Sequence, residues 1–197
     1  MIRRPPRSTH CISSAASDVY KRQFYDMTKH FISLGHRKIA HICGPNVYNF
    51  SIQRIEGWKK ALLETGIQIK SDFLQVADLS FDGGKIAMDK LLKLKDLPTA
   101  VSCVSDTVAM GAMQSMRNHN LSPGKEISLM GYDGLELGAW IDPPLSTMTQ
   151  PIQVVGKNLA EMLVDLVDGK KKPSELQKLV CANILRRGTD NPPMTTY

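Results

Sequence analysis

The chain has 197 residues, 42% of them hydrophobic and 22% charged, which suits one ordinary α/β domain or one large lobe of a two-lobed protein. No apolar run approaches the ~18 residues that a membrane helix needs, so a membrane partner is not expected. The net charge of +6 invites a nucleic-acid reading, but five basic residues and one acid fall within the first 23, leaving only +2 for the rest. Cys11, Cys43, Cys103 and Cys181 form no CxxC pair, and no secretory apolar stretch opens the chain. A reducing, cytoplasmic setting is therefore expected, with no cofactor and no metal set: His36 and His41 merely flank a strand.

Residues 1–23 are rich in Arg, Pro and Ser and lack helical or strand periodicity until their last few positions. A basic DNA-binding arm would need a recognition helix after it, and a targeting peptide would need an apolar core. The stretch instead resembles translated sequencing-adapter sequence ending in Asp18-Val19-Tyr20-Lys21-Arg22-Gln23. We read it as a non-native or disordered leader, with whatever preceded Phe24 lost.

From Phe24 onward helix and strand patterns alternate. Residues 24–34 read as a helix stopped by Gly35, and Lys38 to Cys43 as a short apolar strand broken by Gly44-Pro45. A helix over 51–65, opened by Ser51 and closed by Gly66, carries Ile52, Ile55, Trp58 and Leu62 at helical spacing. Phe73 to Leu79 is the next strand and 82–95 the next helix. Asp82-Gly83-Gly84-Lys85 lacks the spacing of a phosphate-binding loop and reads as that helix's start. Thr99 to Val104 is a continuous apolar strand, after which Asp106 caps a helix whose inner face is Ala109, Ala112, Met113 and Met116. Glu126 to Tyr132 is a strand, 133–145 irregular, and 152–167 a helix with a strong apolar stripe ended by Gly169 and Lys170 to Lys172. Leu176 to Leu185 reads as a last strand or hairpin, and Arg186 to Tyr197 as tail.

Such βα alternation predicts a parallel-sheet lobe with helices on both faces, where ligands bind beyond the carboxyl ends of the strands. Those ends bear Gly44-Pro45, Leu79 to Phe81, Ser105-Asp106 and Asp133-Gly134, and Arg54, in the first turn of the following helix, can aim at the same crevice. Asp133 can accept two hydroxyl protons, Arg54 can donate a forked pair of hydrogen bonds, and Leu79 and Phe81 can supply an apolar wall. That combination suits a sugar or nucleoside-like polyol. Taken alone, Arg54 could equally pair with Glu56 or solvent, and Asp133 could be an ordinary turn residue.

The ordered set Leu34-Gly35-His36, Lys38 to Ile42, Gly44-Pro45, Ser51-x-x-Arg54-x-x-Gly57-Trp58, Ser105-Asp106 with Ala109-x-Gly111-Ala112, Ile127 to Asp133, and Pro143 to Met148 with Gln150 resembles the lactose-repressor/galactose-repressor (LacI/GalR) transcription regulators. The resemblance covers about residues 24–190. It implies a periplasmic-binding-protein-like core truncated to its C-terminal lobe, 24–190, with 191–197 as tail and the 152–167 helix packing on an N-terminal lobe that this chain lacks. It implies effector contacts at Arg54 and Asp133, a shorter donor at Ser105 where Asn is frequent, Leu79 where an aromatic is frequent unless Phe81 takes that role, and Gln150 as a secondary contact. The partners implied are a small sugar or related polyol, operator DNA reached only through a missing helix-turn-helix, and a second copy in a homodimer of the full-length protein. A periplasmic-type sugar receptor for transport or chemotaxis is the alternative. No GxSxG, HExxH or GxGxxG motif follows a strand, so an enzyme is not expected.

Overall fold

The computed structural model describes residues 10–176, 180 and 182–194, with side chains from Val19 onward. In chain order the elements are α1 (His10–Ser33), β1 (Ile39–Cys43), α2 (Asn49–Glu64), β2 (Leu74–Val76), α3 (Phe81–Leu92), β3 (Ala100–Cys103), α4 (Asp106–Asn118), β4 (Ser128–Asp133), α5 (Leu137–Trp140), β5 (Ser146–Thr149), α6 (Ile152–Val167) and β6 (Asn183–Leu185). They build one sheet in the order β2-β1-β3-β4-β5-β6, parallel throughout except for β6 at its edge.

Period-two alternation along the strands sends side chains to two helical layers. His41 and Tyr132 face α1 and α2, where His41 lies 5.0 Å from the Phe24 ring and 6.1 Å from Trp58. On the opposite face α3 packs on α4 so closely that a Cβ on Gly84 would stand 2.0 Å from the Val108 carbonyl oxygen. The continuous apolar strands β1, β3 and β4 are buried on both sides, as a doubly covered parallel sheet requires. Ala109, Ala112, Met113 and Met116 are all buried, as their spacing predicts.

Several expectations shift. Helix α1 begins at His10 rather than 24, and its residues just before Phe24 find partners on the lobe. Lys21 pairs with Glu56 at 2.9 Å, Gln23 accepts from the Tyr132 hydroxyl at 2.6 Å, and Gly57 removes the Cβ that would meet the Lys21 carbonyl. Helix α2 starts at Asn49 with Tyr48 at its N-cap, so Ser51 lies inside the helix and Arg54 falls in the second turn instead of the first. Ser105, not Asp106, caps α4, its Oγ accepting from Val108 N at 3.3 Å. The strand expected over 73–79 shrinks to three residues after a 3₁₀ turn at Ser71–Phe73. Ser146–Thr149, not foreseen as a strand, inserts beside β4, and α5 interrupts the stretch read as irregular.

The segment after Arg186 is no loose tail. Leu129 N donates to the Thr189 carbonyl at 2.7 Å, Thr189 Oγ1 returns a bond to Leu129 O at 2.7 Å, and buried Asp190 accepts from Ser146 Oγ, Arg186 Nε and His30. Asn191 is likewise tied in, its carbonyl accepting from Ser128 Oγ at 2.6 Å. These bonds satisfy backbone groups that a free tail would leave bare. Of the expected hairpin over 176–185, residues 177–179 and 181 lie outside the described residues, and β6 is what the rest forms.

Candidate functional site

The strand order places β2 on one side of β1 and β3 on the other, so the chain changes direction across the sheet between β1 and β3. Helices α2 and α4, which leave those two strands, therefore lie on opposite faces, and the crevice between their starts is where open α/β sheets take ligands. Arg54 occupies that crevice. It is 6% exposed, and its Nη1 donates to the Val104 carbonyl at the end of β3 at 2.8 Å. Its Cζ lies 4.1 Å from the Tyr132 ring centre, 4.9 Å from Phe50, 5.1 Å from Phe24 and 5.5 Å from Tyr20. Burial lowers its pKa, and Tyr132 and Asp133 act in the opposite direction, favouring the cation. Among the described residues it has no ion-pair partner, and its buried Nε has no hydrogen-bond acceptor. The ring faces around it compensate a guanidinium that would otherwise be stranded.

Asp133 ends β4 with φ of +121°, a left-handed backbone for a non-glycine residue and a cost of about 1–3 kcal/mol. Its Oδ1 accepts from Gln150 Nε2 at 2.9 Å. Burial raises its pKa, while the Gln150 bond and the Arg54 charge pull it down. Arg54 and Asp133 thus act on one another across the rim without forming a direct pair.

The turn that holds Asp133 in this conformation is tied down by Asp106, one residue into α4. This fully buried carboxylate accepts from Leu135 N and Thr147 Oγ1, each at 2.6 Å, and from the Gly134 backbone. Desolvation pushes its pKa up, and those three bonds oppose the rise. A Cβ on Gly131 would lie 2.1 Å from its Oδ1, so glycine at that position makes room for the clamp. Sequence reasoning assigned Asp106 to helix capping and missed this role. The available signal was a carboxylate directly after a Ser that could cap, together with a glycine inside an otherwise apolar strand.

The other expected site residues divide. Gln150 joins Asp133 as described. Leu79 packs over Gly44, where a Cβ would stand 2.9 Å from its Cδ2, and it remains 44% exposed at the rim. Phe81 heads α3 with its side chain 42% exposed. Ser105 follows β3 onto the rim, where one lone pair of its hydroxyl accepts the α4 cap bond. A separate cavity of about 250 Å³ lies between α1 and α6, lined by Val19, Val155, Asn158, Leu159, Met162, Leu176 and Val180, none of them a rim residue.

The rim combines a desolvated cation, a carboxylate already shared with an amide, and an apolar flank. That set has the donors, acceptors and apolar wall that suit hydroxyl-bearing molecules, and none of these groups is arranged as a nucleophile with its base. Cys43 and Cys103 are buried, with the Cys43 thiol pushed up to about 11 and that of Cys103 higher still, which keeps both protonated. Among the described residues no three His, Cys, Asp or Glu side chains gather as a metal site, and no helix is long and apolar enough to cross a membrane.

A doubly wound lobe with its polar groups gathered on the strand-end rim defines a small-molecule-binding α/β core of the periplasmic binding protein type. Residues 28–189 match the model of the periplasmic binding protein-like domain, and the chain belongs to that family; the relatives and solved structures it resembles include transcriptional repressors and LacI-family regulators. It is 32% identical over 165 residues to the HTH-type transcriptional repressor CytR of Escherichia coli K12, covering 84% of this chain and 48% of the repressor. It is 38% identical over 151 residues to the ribose operon repressor of Haemophilus influenzae, covering 77% of this chain and 45% of that protein. A LacI-family regulatory protein from Chloroflexus aggregans superimposes with a TM-score of 0.82 at 26% identity, covering 87% of this chain and 61% of the other. The chain thus spans about half the length of the curated relatives it matches.

Proposed function

We propose that this chain is the C-terminal lobe, residues 24–190, of the effector-binding core of a bacterial transcription regulator, a repressor that responds to a small sugar or related polyol. The observation that carries the reading is one strand-end rim that holds Arg54 beside the switch point and the Gln150–Asp133 pair at the ends of β4 and β5, near enough for the Arg54 charge to act on Asp133, with Leu79, Phe81 and Ser105 along the same rim. In this scheme Arg54 donates to ring or hydroxyl oxygens and Asp133 accepts from hydroxyls. Effector closing on this rim changes the angle between two lobes and so the operator affinity of a dimer whose helix-turn-helix precedes the lobe. Helix α6 fits the same scheme: Ile152, Leu159, Leu163, Val164 and Val167 stand exposed along it, an apolar face suited to packing on the first lobe.

Calorimetric titration against pentoses, hexoses and ribonucleosides tests the site. Arg54→Ala and Asp133→Ala are each expected to weaken binding by about 2–5 kcal/mol while leaving the circular-dichroism spectrum unchanged. Unchanged affinity in both variants would overturn the assignment. Genomic sequence upstream of Phe24 tests the rest, a helix-turn-helix supporting the regulator and a signal peptide a transport receptor.

A further inference from the structure

Tyr48 is the N-cap residue of α2, a position that favours Ser, Thr, Asp or Asn, yet it makes no side-chain cap. Its ring instead stacks on Phe50, with centroids 5.3 Å apart and planes 11° from parallel. Phe50 in turn lies 4.9 Å from the Arg54 guanidinium carbon. Guanidinium, Phe50 and Tyr48 thus form a layered run from the buried cation outward, and Tyr48, at its outer end, is 45% exposed.

The position of this run in the sheet gives the rim a polarity. Tyr48 follows β1, and Leu79 and Phe81 follow β2, so the β2-β1 end of the rim is apolar. Asp133 and Gln150 end β4 and β5, so the opposite end takes hydroxyls, with Arg54 between the two. A compact sugar would engage only the polar half. An elongated molecule, with a polyol at one end and a flat unsaturated ring at the other, would engage both.

We propose that Tyr48, backed by Phe50, is a stacking platform that selects effectors in which a planar π-bearing group is joined to a polyol, the chemistry shared by nucleosides and aryl glycosides. This rests on the proposed role of the rim as the effector site and adds a specificity element to it. Stacking on an exposed aromatic face tolerates many ring types, so the platform selects for flatness and leaves the polar end to select for hydroxyls.

The test titrates the 197-residue chain with adenosine and 4-nitrophenyl β-D-glucopyranoside, against D-ribose, D-glucose and methyl β-D-glucopyranoside. Ring-bearing ligands are expected to bind about tenfold or more tightly than their ring-free counterparts. Tyr48→Ala should erase that advantage while leaving ring-free sugars unchanged, and Tyr48→Phe should restore it. Which ring-bearing ligand binds more tightly decides between the nucleoside and the aryl glycoside. Equal affinity for the two classes, or a Tyr48→Ala loss shared by all ligands, overturns the platform. If ring-free sugars bind and lose affinity on Arg54→Ala while Tyr48→Ala has no effect, the platform falls and the effector site stands. Binding of none of these probes overturns both.

Discussion

His41 sits in the middle of β1, fully buried between the Phe24 and Trp58 rings, and acidification should expose what that location costs. Its Nδ1 lies 3.0 Å from the Ser102 carbonyl oxygen, which can only accept, so Nδ1 carries the proton and Nε2 is a bare, buried nitrogen without a partner. Charging the ring would place a second N–H among apolar groups and near the Arg54 cation. Burial, with Arg54 adding to it, accordingly lowers the pKa from 6.5 to about 4 despite the Ser102 bond. The unfolded chain then binds a proton that the folded chain refuses throughout that window. The stability associated with neutral His41 is therefore complete above pH 6.5 and is lost progressively down to about pH 4. At about 1.4 kcal/mol per pH unit, the full loss is about 3 kcal/mol. His36, whose pKa is also lowered by burial, and Asp106 and Asp133, whose pKa values burial raises, add their own pH dependence, so the comparison must isolate one ring. Urea denaturation of the wild type and of His41→Leu at half-unit steps from pH 7.5 to 4, followed by circular dichroism, does so. The wild type should lose about 3 kcal/mol more than the variant across that range. Parallel curves would refute the argument, because they would mean that His41 charges in the folded protein as easily as in the unfolded one.

Two further perturbations address the scaffold of the site. Asp106→Asn keeps the volume but turns one acceptor oxygen into an amide donor facing Leu135 N, Gly134 N or Thr147 Oγ1. Losing a charge-assisted bond there should cost about 1.5–3 kcal/mol of stability and weaken polyol binding along with it, through displacement of the Asp133 turn. Denaturation paired with calorimetry checks both, and unaltered binding would show that Asp133 holds its place without the clamp. Gly84→Ala places a Cβ against the Val108 carbonyl and must push α3 from α4, so a loss of about 1–3 kcal/mol is expected in chemical denaturation, with wild-type stability as the refuting result.

Long periodic segments were legible before any coordinates. The stripe over 152–167 and the inner face of α4 were readable because 3.6-residue spacing of apolar side chains is a local property. The apolar runs of β1, β3 and β4 were readable for the same reason, since strands buried on both faces need no alternation. Short segments whose conformation depends on a neighbour were not. Ser146–Thr149 becomes a strand because the edge of β4 offers it hydrogen bonds, and the stretch after Arg186 is pinned by groups on β4 and β5.

The same division runs through the candidate site. Residue type and placement near the strand ends named Arg54 and Asp133 from the sequence, because the donor and acceptor capacities of a side chain travel with the residue, whereas Gln150 was named only through the family resemblance. What each side chain spends those capacities on is decided in three dimensions. Ser105 gives its hydroxyl to a helix cap, Asp106 gives its carboxylate to the Asp133 turn, and Arg54 withdraws among four aromatic rings drawn from α1, α2 and β4. Hydrogen bonds join residues 29 and 41 positions apart in the Asp106 clamp, and a ring contact brings Tyr20 beside Arg54. No local pattern encodes such partners, because they exist only once the chain has closed on itself.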